Sequence, residues 1–352
     1  MDFSKKSRYW TVRTKSYSYL ISKKTLAVTA VLLAVTAAVF LLSTGTGSVF
    51  LSPVKVVKAI IGTGDPMSET IVRSLRLPRT LIAVLVGAAL AVSGAVLQGM
   101  VRNSLASPDS LGMTGGATLG AILYFFLLAG SLGIHWLPLC AVLGAFAAAV
   151  FVYGFSWRRG GGVTPLRLVL IGTAFTQAAN ALSYMLMISG PIILANLSLT
   201  FMTGSIYGVS WQKHVLPLLP WLIVLLPATL LYARHVNIQE LGEDVARSVG
   251  GRVQRQRLVL LLLAVSLAGA GVAIGGAVGF IGLMAPHMAR RLVGPAFGGV
   301  LPVSALLGSL ILLVADLGAR TLFSPLDIPA GVFTAAVGAP FFIYLVYRSR
   351  GQ

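Results

Sequence analysis

Residues 234–257 read RHVNIQELGEDVARSVGGRVQRQR. On either side the chain is apolar for long distances. The island holds Arg234, Glu240, Glu243, Asp244, Arg247, Arg252, Arg255 and Arg257. Within it Ile238, Leu241, Val245 and Val249 recur at spacings of three and four. That spacing puts them on one helical face, with the charges mostly on the other. Gly250 and Gly251 follow, and a left-handed residue at a helix end is easiest for glycine. The pattern therefore predicts one short amphipathic helix over 238–249, in water, between two membrane spans. Two readings of it stand side by side. It is a solvated connector that needs no partner, or a docking helix for a cytosolic protein.

The flanks explain the setting. Of 352 residues, 57% are hydrophobic and only 10% are charged. A soluble protein has no means of hiding that much apolar surface, so the chain reads as an all-α, polytopic membrane protein. Its net charge of +18 sits at the ends of apolar runs, where basic residues set orientation, and no nucleic-acid partner is expected. Cys140 is the single cysteine, so no disulfide or thiolate metal site forms within one chain. His135, His214, His235 and His287 make no metal-ligand spacing. No cleavable signal is evident.

Taken in order, residues 1–24 form a basic cytoplasmic tail suited to anionic lipid. Residues 25–348 make one transmembrane permease domain, with the island at 234–257 as its cytoplasmic loop, and 349–352 a short cytoplasmic tail. The first span, 25–44, is an uncharged run of 20 residues, enough to cross at ~1.5 Å per residue. An outer loop at 45–77 carries possible short helices near 53–60 and 68–75. Further spans follow at 80–101, 111–130, 136–155, 168–188, 215–232, 258–278, 302–318 and 331–347, with a shorter piece at 279–288, giving about ten. The segment at 191–213 reads as an outer loop. Of the 27 Lys and Arg, only Lys55, Lys58, Arg73, Arg76, Arg79, Lys213 and Arg320 fall outside in this arrangement. That bias predicts both termini inside. Small residues recur at Gly271, Gly275 and Gly279 and at Gly116 and Gly120, a spacing that lets helices approach closely, most simply within one chain.

Chemistry is scarce. Asp316 is the clearest charge in an apolar run, and Arg320 lies four residues on, where the two could pair. Gln98, Gln177 and Asn180 are polar residues within spans that line a path or bond across helices. An ion-coupled carrier would need more buried ionisable groups. No catalytic constellation and no phosphate-binding GxxxxGK[ST] loop is present, so the chain is not expected to be an enzyme or to bind ATP.

Four long motifs then carry a family resemblance: RLPRTLIAVLVGAALAVSGAVLQGMVRNSLASPDSLGMTGGATLGA from Arg76, LGEDVARSVG from Leu241, GFIGLMAPHMARRLVGP from Gly279, and ADLGARTLFSPLDIPAGVFTAAVGAPFFIYL from Ala315. Over nearly its whole length the chain resembles the FecCD-type permease subunits of ABC importers for iron siderophores, haem and cobalamin. The resemblance implies ten spans, a bacterial cell membrane, and a cargo that is most often a ferric siderophore. It implies a second permease subunit, identical or related, an extracytoplasmic substrate-binding protein, and two cytosolic ATPase subunits that hold the ATP and Mg. No cofactor or metal is expected on this chain.

The same resemblance assigns sites. Glu240, Leu241, Gly242, Glu243, Ala246, Arg247 and Gly250 become ATPase-coupling contacts, which favours the docking reading of the island. Arg76, Arg79 and Arg320 become docking arginines for the acidic face of the binding protein, a task suited to a bidentate guanidinium. Val163, Thr164 and Pro165 fall at the inner gate. There the chain departs from the family in the glycines Gly160, Gly161 and Gly162, and Phe201 stands where the family often has Trp. A haem or cobalamin importer, or from another class an ion-coupled secondary transporter, is the alternative function.

Overall fold

A computed structural model describes residues 9–13, 18–47, 49–129, 131, 133–158, 162–323 and 326–349. The chain is about 81% helical. In order come α1 (Lys23–Gly45), α2 (Pro53–Ile61), α3 (Pro66–Thr70), a π-helical turn at Ile71–Arg76 that runs on into α4 (Leu77–Val101), and α5 (Met113–Leu123) with its own π-helical end at Tyr124–Leu128. Then follow α6 (Leu137–Ser156), α7 (Pro165–Ser189), α8 (Ile192–Thr203), α9 (Leu216–Leu231), α10 (Ala233–Glu240) and α11 (Glu243–Ser248). The chain closes with α12 (Val253–Gly275), α13 (Ile281–Val293), α14 (Phe297–Thr321) and α15 (Ala330–Ser349).

Among the described residues, six helical stretches are long and apolar enough to cross a membrane: Lys23–Gly45, Pro66–Val101, Ile134–Ser156, Trp211–Leu231, Val253–Gly275 and Phe297–Thr321. Three shorter apolar ones, Met113–Leu128, Ile192–Thr203 and Ala330–Leu345, accompany them. The helices within the loop at 45–77 form where the sequence suggests. Helix α8 is different: it occupies a segment read as an outer loop, because 192–203 is too short and too polar-flanked to register as a span. The segment 279–288 proves to belong to the 13-residue helix α13, a half-span packed inside the protein.

Two small antiparallel ladders interrupt the all-α reading. In the basic tail, β1 (Tyr9–Arg13) pairs with β2 (Ser18–Ser22). Before α7, β3 (Trp157–Arg158) pairs antiparallel with β4 (Gly162–Val163), and Gly160 and Gly161 between them lie outside the described residues. The C-terminal 350–352 and most of the tail's first residues lie outside the described residues.

Helix α4 is the axis of the packing. It is buried from Val86 to Val101 without interruption, with α12, α13 and α14 packed around it. Lipid-facing helices contrast with it. On α1, Val31 and Leu33 stay exposed, as do Ile223 and Val224 on α9. Water supplies no driving force between helices in lipid, so close backbone approach carries the association. Gly87 and Gly308 make one such approach: a Cβ on either would collide with the other's backbone. Gly87→Leu should therefore lower the thermal unfolding midpoint in detergent and the yield of folded protein, by an overpacking cost at or above the usual ~1–3 kcal/mol. Gly154→Ala, where an added Cβ meets nothing within 4 Å, should leave both unchanged; equal behaviour of the two variants would contradict the packing account.

Candidate functional site

The polar island does not form one helix. Gly242 has φ +111°, a conformation open to glycine, and it splits the segment into α10 and α11. The periodicity of Ile238, Leu241, Val245 and Val249 runs across this break, so period alone could not reveal it. The glycine stop is where the sequence puts it: Gly250 has φ +81° and donates to the Arg247 carbonyl, while Gly251 donates to that of Ala246.

The two short helices have opposite relations to the body. In α10, Ala233, Val236 and Gln239 are buried. In α11 Ala246 is buried and Val245 is 46% exposed, and the flanking Leu241 and Val249 are 67% and 66% exposed. Of the proposed coupling residues, Leu241, Arg247 and Gly250 lie outward and Gly242 is half-buried at the break. Glu240 turns toward the body, and nothing is described of the Glu243 side chain.

Glu240 meets a relay that the sequence reading missed. Its carboxylate lies 3.7 Å from Arg290 on α13. Arg290 Nη1 donates to Gln98 Oε1 on α4 at 2.5 Å, and Gln98 Nε2 donates to the Leu283 carbonyl at 3.1 Å. The Arg290 guanidinium also lies over the Phe297 ring, 5.2 Å from its centre. Asn237 on α10 accepts from the Phe297 backbone N–H at 2.9 Å. Burial pushes the Glu240 carboxyl up, against the opposing pull of Arg290. The relay thus ties α10 to α4, α13 and α14. Gln98 was visible as a polar residue in a span, but nothing in its position names a partner 192 residues away.

A second link reaches the proposed inner gate. Arg257 on α12 is buried, and its Nη1 donates to the Val163 carbonyl at 2.5 Å. Val163 itself is buried, Thr164 is exposed and stands just before α7 without a side-chain capping bond, and Pro165 is the first residue of that helix. Pro at a first helical position is favourable because its missing N–H would be unpaired there in any case.

The three proposed docking arginines cluster at the far end of α4, roughly 28 Å from Gln98 at 1.5 Å per residue. They are turned inward. Arg76 is buried and donates to the carbonyls of Thr44, Gly45 and Val49 at 3.2, 2.9 and 2.6 Å. Arg79 binds Asp327 through two nitrogens at 2.6 and 2.8 Å and Asp316 at 2.8–2.9 Å. Tyr207 stacks beneath its guanidinium at 5.8 Å. Arg320 donates to the Thr46 carbonyl at 2.9 Å and to the Ser43 carbonyl and hydroxyl. Its distance to Asp316 is 3.7 Å. The pair suggested by spacing exists, but Asp316 leans on Arg79 from another helix more closely. Asp327 carried no signal in the sequence, since its partner is set by the fold.

Comparison with known proteins decides what this arrangement belongs to. The model of the FecCD transport family matches residues 33–348. The chain belongs to the FecCD transport family. It is 46% identical over 335 residues to a protein of Bacillus subtilis (strain 168) named a probable siderophore transport system permease, with 94% of this chain and 97% of that one covered. It is 44% identical over 338 residues to the achromobactin transport system permease protein of Dickeya dadantii (strain 3937), with 96% of each chain covered. A solved chain, described as a metal-chelate type ABC transporter in an inward-facing conformation, superposes with a TM-score of 0.80 at 30% identity. That match covers 92% of this chain and 99% of the other. This FecCD protein is therefore a multi-pass membrane permease.

Asp316 is fully buried between two arginines. Removing one partner of a buried pair strands the other charge, a cost of ~3–5 kcal/mol. Arg79→Met should accordingly be severely destabilised in a detergent unfolding assay, and Asp316→Asn added to it should recover much of the loss. Additive penalties in the double variant would contradict the coupling of Arg79 to Asp316.

Proposed function

We propose that this FecCD protein is the permease subunit of an ATP-driven importer of ferric siderophores in a bacterial cell membrane. In this reading residues 25–348 form one permease domain of ten spans with both termini in the cytoplasm. A second copy or a related chain completes the path. Two cytosolic ATPase subunits bind the ATP and Mg, and an extracytoplasmic binding protein delivers the cargo. Relatives named for siderophore, iron(3+)-hydroxamate and Fe(3+) dicitrate transport support an iron-chelate cargo.

The observation that carries the coupling role is the exposed apolar row Leu241, Val245 and Val249, which runs along α11 and the residues flanking it. A short helix with such an exposed row along and beside it gains from docking into a groove. Its neighbour α10 is tied through Glu240 and Arg290 to α4. A displacement of the island therefore passes to the buried axis of the permease as a rigid-body shift. Arg257 passes the same motion to Val163 and the inner gate at Thr164 and Pro165.

On the outer face the docking role stays with Arg76, Arg79 and Arg320, and the geometry narrows it. Arg76 and Arg320 are committed to backbone carbonyls and hold the surface in shape. A carboxylate of the binding protein would reach Arg79 by competing with Asp327, whose side chain is 26% exposed.

Gly242→Pro tests the central step. Proline fixes φ near −65° where the chain needs +111°, so the α10–α11 angle is lost while the spans are untouched. We expect a variant that elutes as wild type, no longer co-purifies with an ATPase identified by mass spectrometry, and imports its chelate roughly tenfold more slowly, the scale of ~1.4 kcal/mol of lost coupling. Wild-type uptake and wild-type ATPase recovery in that variant would overturn the proposal.

A further inference from the structure

Beside the coupling helices, where α9 ends and α12 begins, lies a cavity of about 360 Å³. Tyr232, His235, Arg252, Arg255, Gln256 and Val259 line it, together with Gly250 of the proposed coupling contacts. Its two arginines are exposed, and neither has a carboxylate or hydrogen-bond partner among the described residues. His235 stacks on Tyr232, ring centres 5.0 Å apart, which fixes its edge. Its Nδ1 is buried with no partner, and so is Gln256 Oε1. The pocket thus offers two free guanidinium groups beside an imidazole ring within one small volume.

Its walls continue into surface that faces lipid. Leu230 and Leu231, the last residues of α9, are 45% and 70% exposed. On α12, Leu258 and Leu262 follow Arg255 at i+3 and i+7, which puts all three on one face of that helix. Both leucines remain more than two-fifths exposed. The basic pocket thus lies at the end of an exposed apolar stripe on a spanning helix. That is the shape of a lipid, a charged head with a chain attached.

We propose that this pocket binds the headgroup of one anionic phospholipid. The phosphodiester lies between Arg252 and Arg255, against the edge of the His235 ring. The acyl chain follows Leu258 and Leu262. Phosphatidylglycerol, with one negative charge on its phosphodiester, is a lipid of this kind. The site adjoins α10 and the start of α12, so an occupied pocket braces the base of the coupling island against the bilayer. The inference goes beyond the proposed transport function and requires neither ATP coupling nor a particular cargo.

The test is native mass spectrometry of the full chain with its co-purifying subunits, after exposure to mixed micelles containing phosphatidylglycerol or phosphatidylcholine. One phosphatidylglycerol per copy should remain at activation energies that strip phosphatidylcholine. Retention should fall about tenfold or more in Arg252→Gln/Arg255→Gln, given about 1 kcal/mol per basic residue near an anionic lipid surface. It should persist in Arg252→Lys/Arg255→Lys and in millimolar inorganic phosphate. Both variants should elute as wild type, which separates loss of the site from loss of the fold. Equal retention by the Gln variant or of phosphatidylcholine would overturn the proposal. Displacement by inorganic phosphate would do so by making the site one for a free anion. Cross-links from both arginines to carboxylates of a co-purified ATPase, with no lipid held, would make them protein contacts and overturn it too.

Discussion

Inside a bilayer, helices gain nothing by hiding apolar surface from one another, and every buried polar group must find its partner within the protein. The architecture follows from that constraint. Helix α4 holds its neighbours by backbone proximity at glycines such as Gly87, not by large side chains. Its two ends carry the polar residues that cannot be left bare. At one end Arg79 neutralises Asp316 and Asp327; at the other Gln98 receives Arg290. Between them the axis, buried without interruption from Val86, is apolar save for Ser93, whose hydroxyl donates to the Ala264 carbonyl.

The polar island is built on the same logic in water. A continuous amphipathic helix would present its apolar row along one line. The break at Gly242 separates the segment into α10, committed to the body through Val236, Gln239 and Glu240, and α11, committed only through Ala246. One piece grips the permease, and the other presents Val245 to the solvent, flanked by the exposed Leu241 and Val249. A part that must both transmit force and be grasped needs two faces at a set angle. A glycine at positive φ supplies the angle without strain.

Much of this was legible in the chain. Composition and 20-residue apolar runs give the membrane class, and the long motifs give the family. Gly250 gives the end of the coupling segment. What stayed hidden has a common cause. Period 3.6 is continuous across Gly242, so one helix was the simplest reading. Residues 192–203 and 281–293 fold as helices too short to register as spans. The ion pairs of Arg79 with Asp316 and Asp327, and of Glu240 with Arg290, join residues far apart in sequence. Spacing along one helix could offer only Arg320 for Asp316, and tertiary packing supplied a closer partner. The outer arginines show the same limit: basic residues at a span end read as exposed, yet Arg76 is buried and spent on three carbonyls.

The central claim is that force enters this permease from a separate ATPase at the α10–α11 island. Uptake by vesicles reconstituted with the chain and its co-purified partners tests it most directly. The account predicts chelate accumulation only when ATP is supplied on the side that bears Leu241, Val245 and Val249, unaffected by dissipating proton and sodium gradients. Accumulation by the chain alone, driven by an ion gradient without ATP, would contradict it.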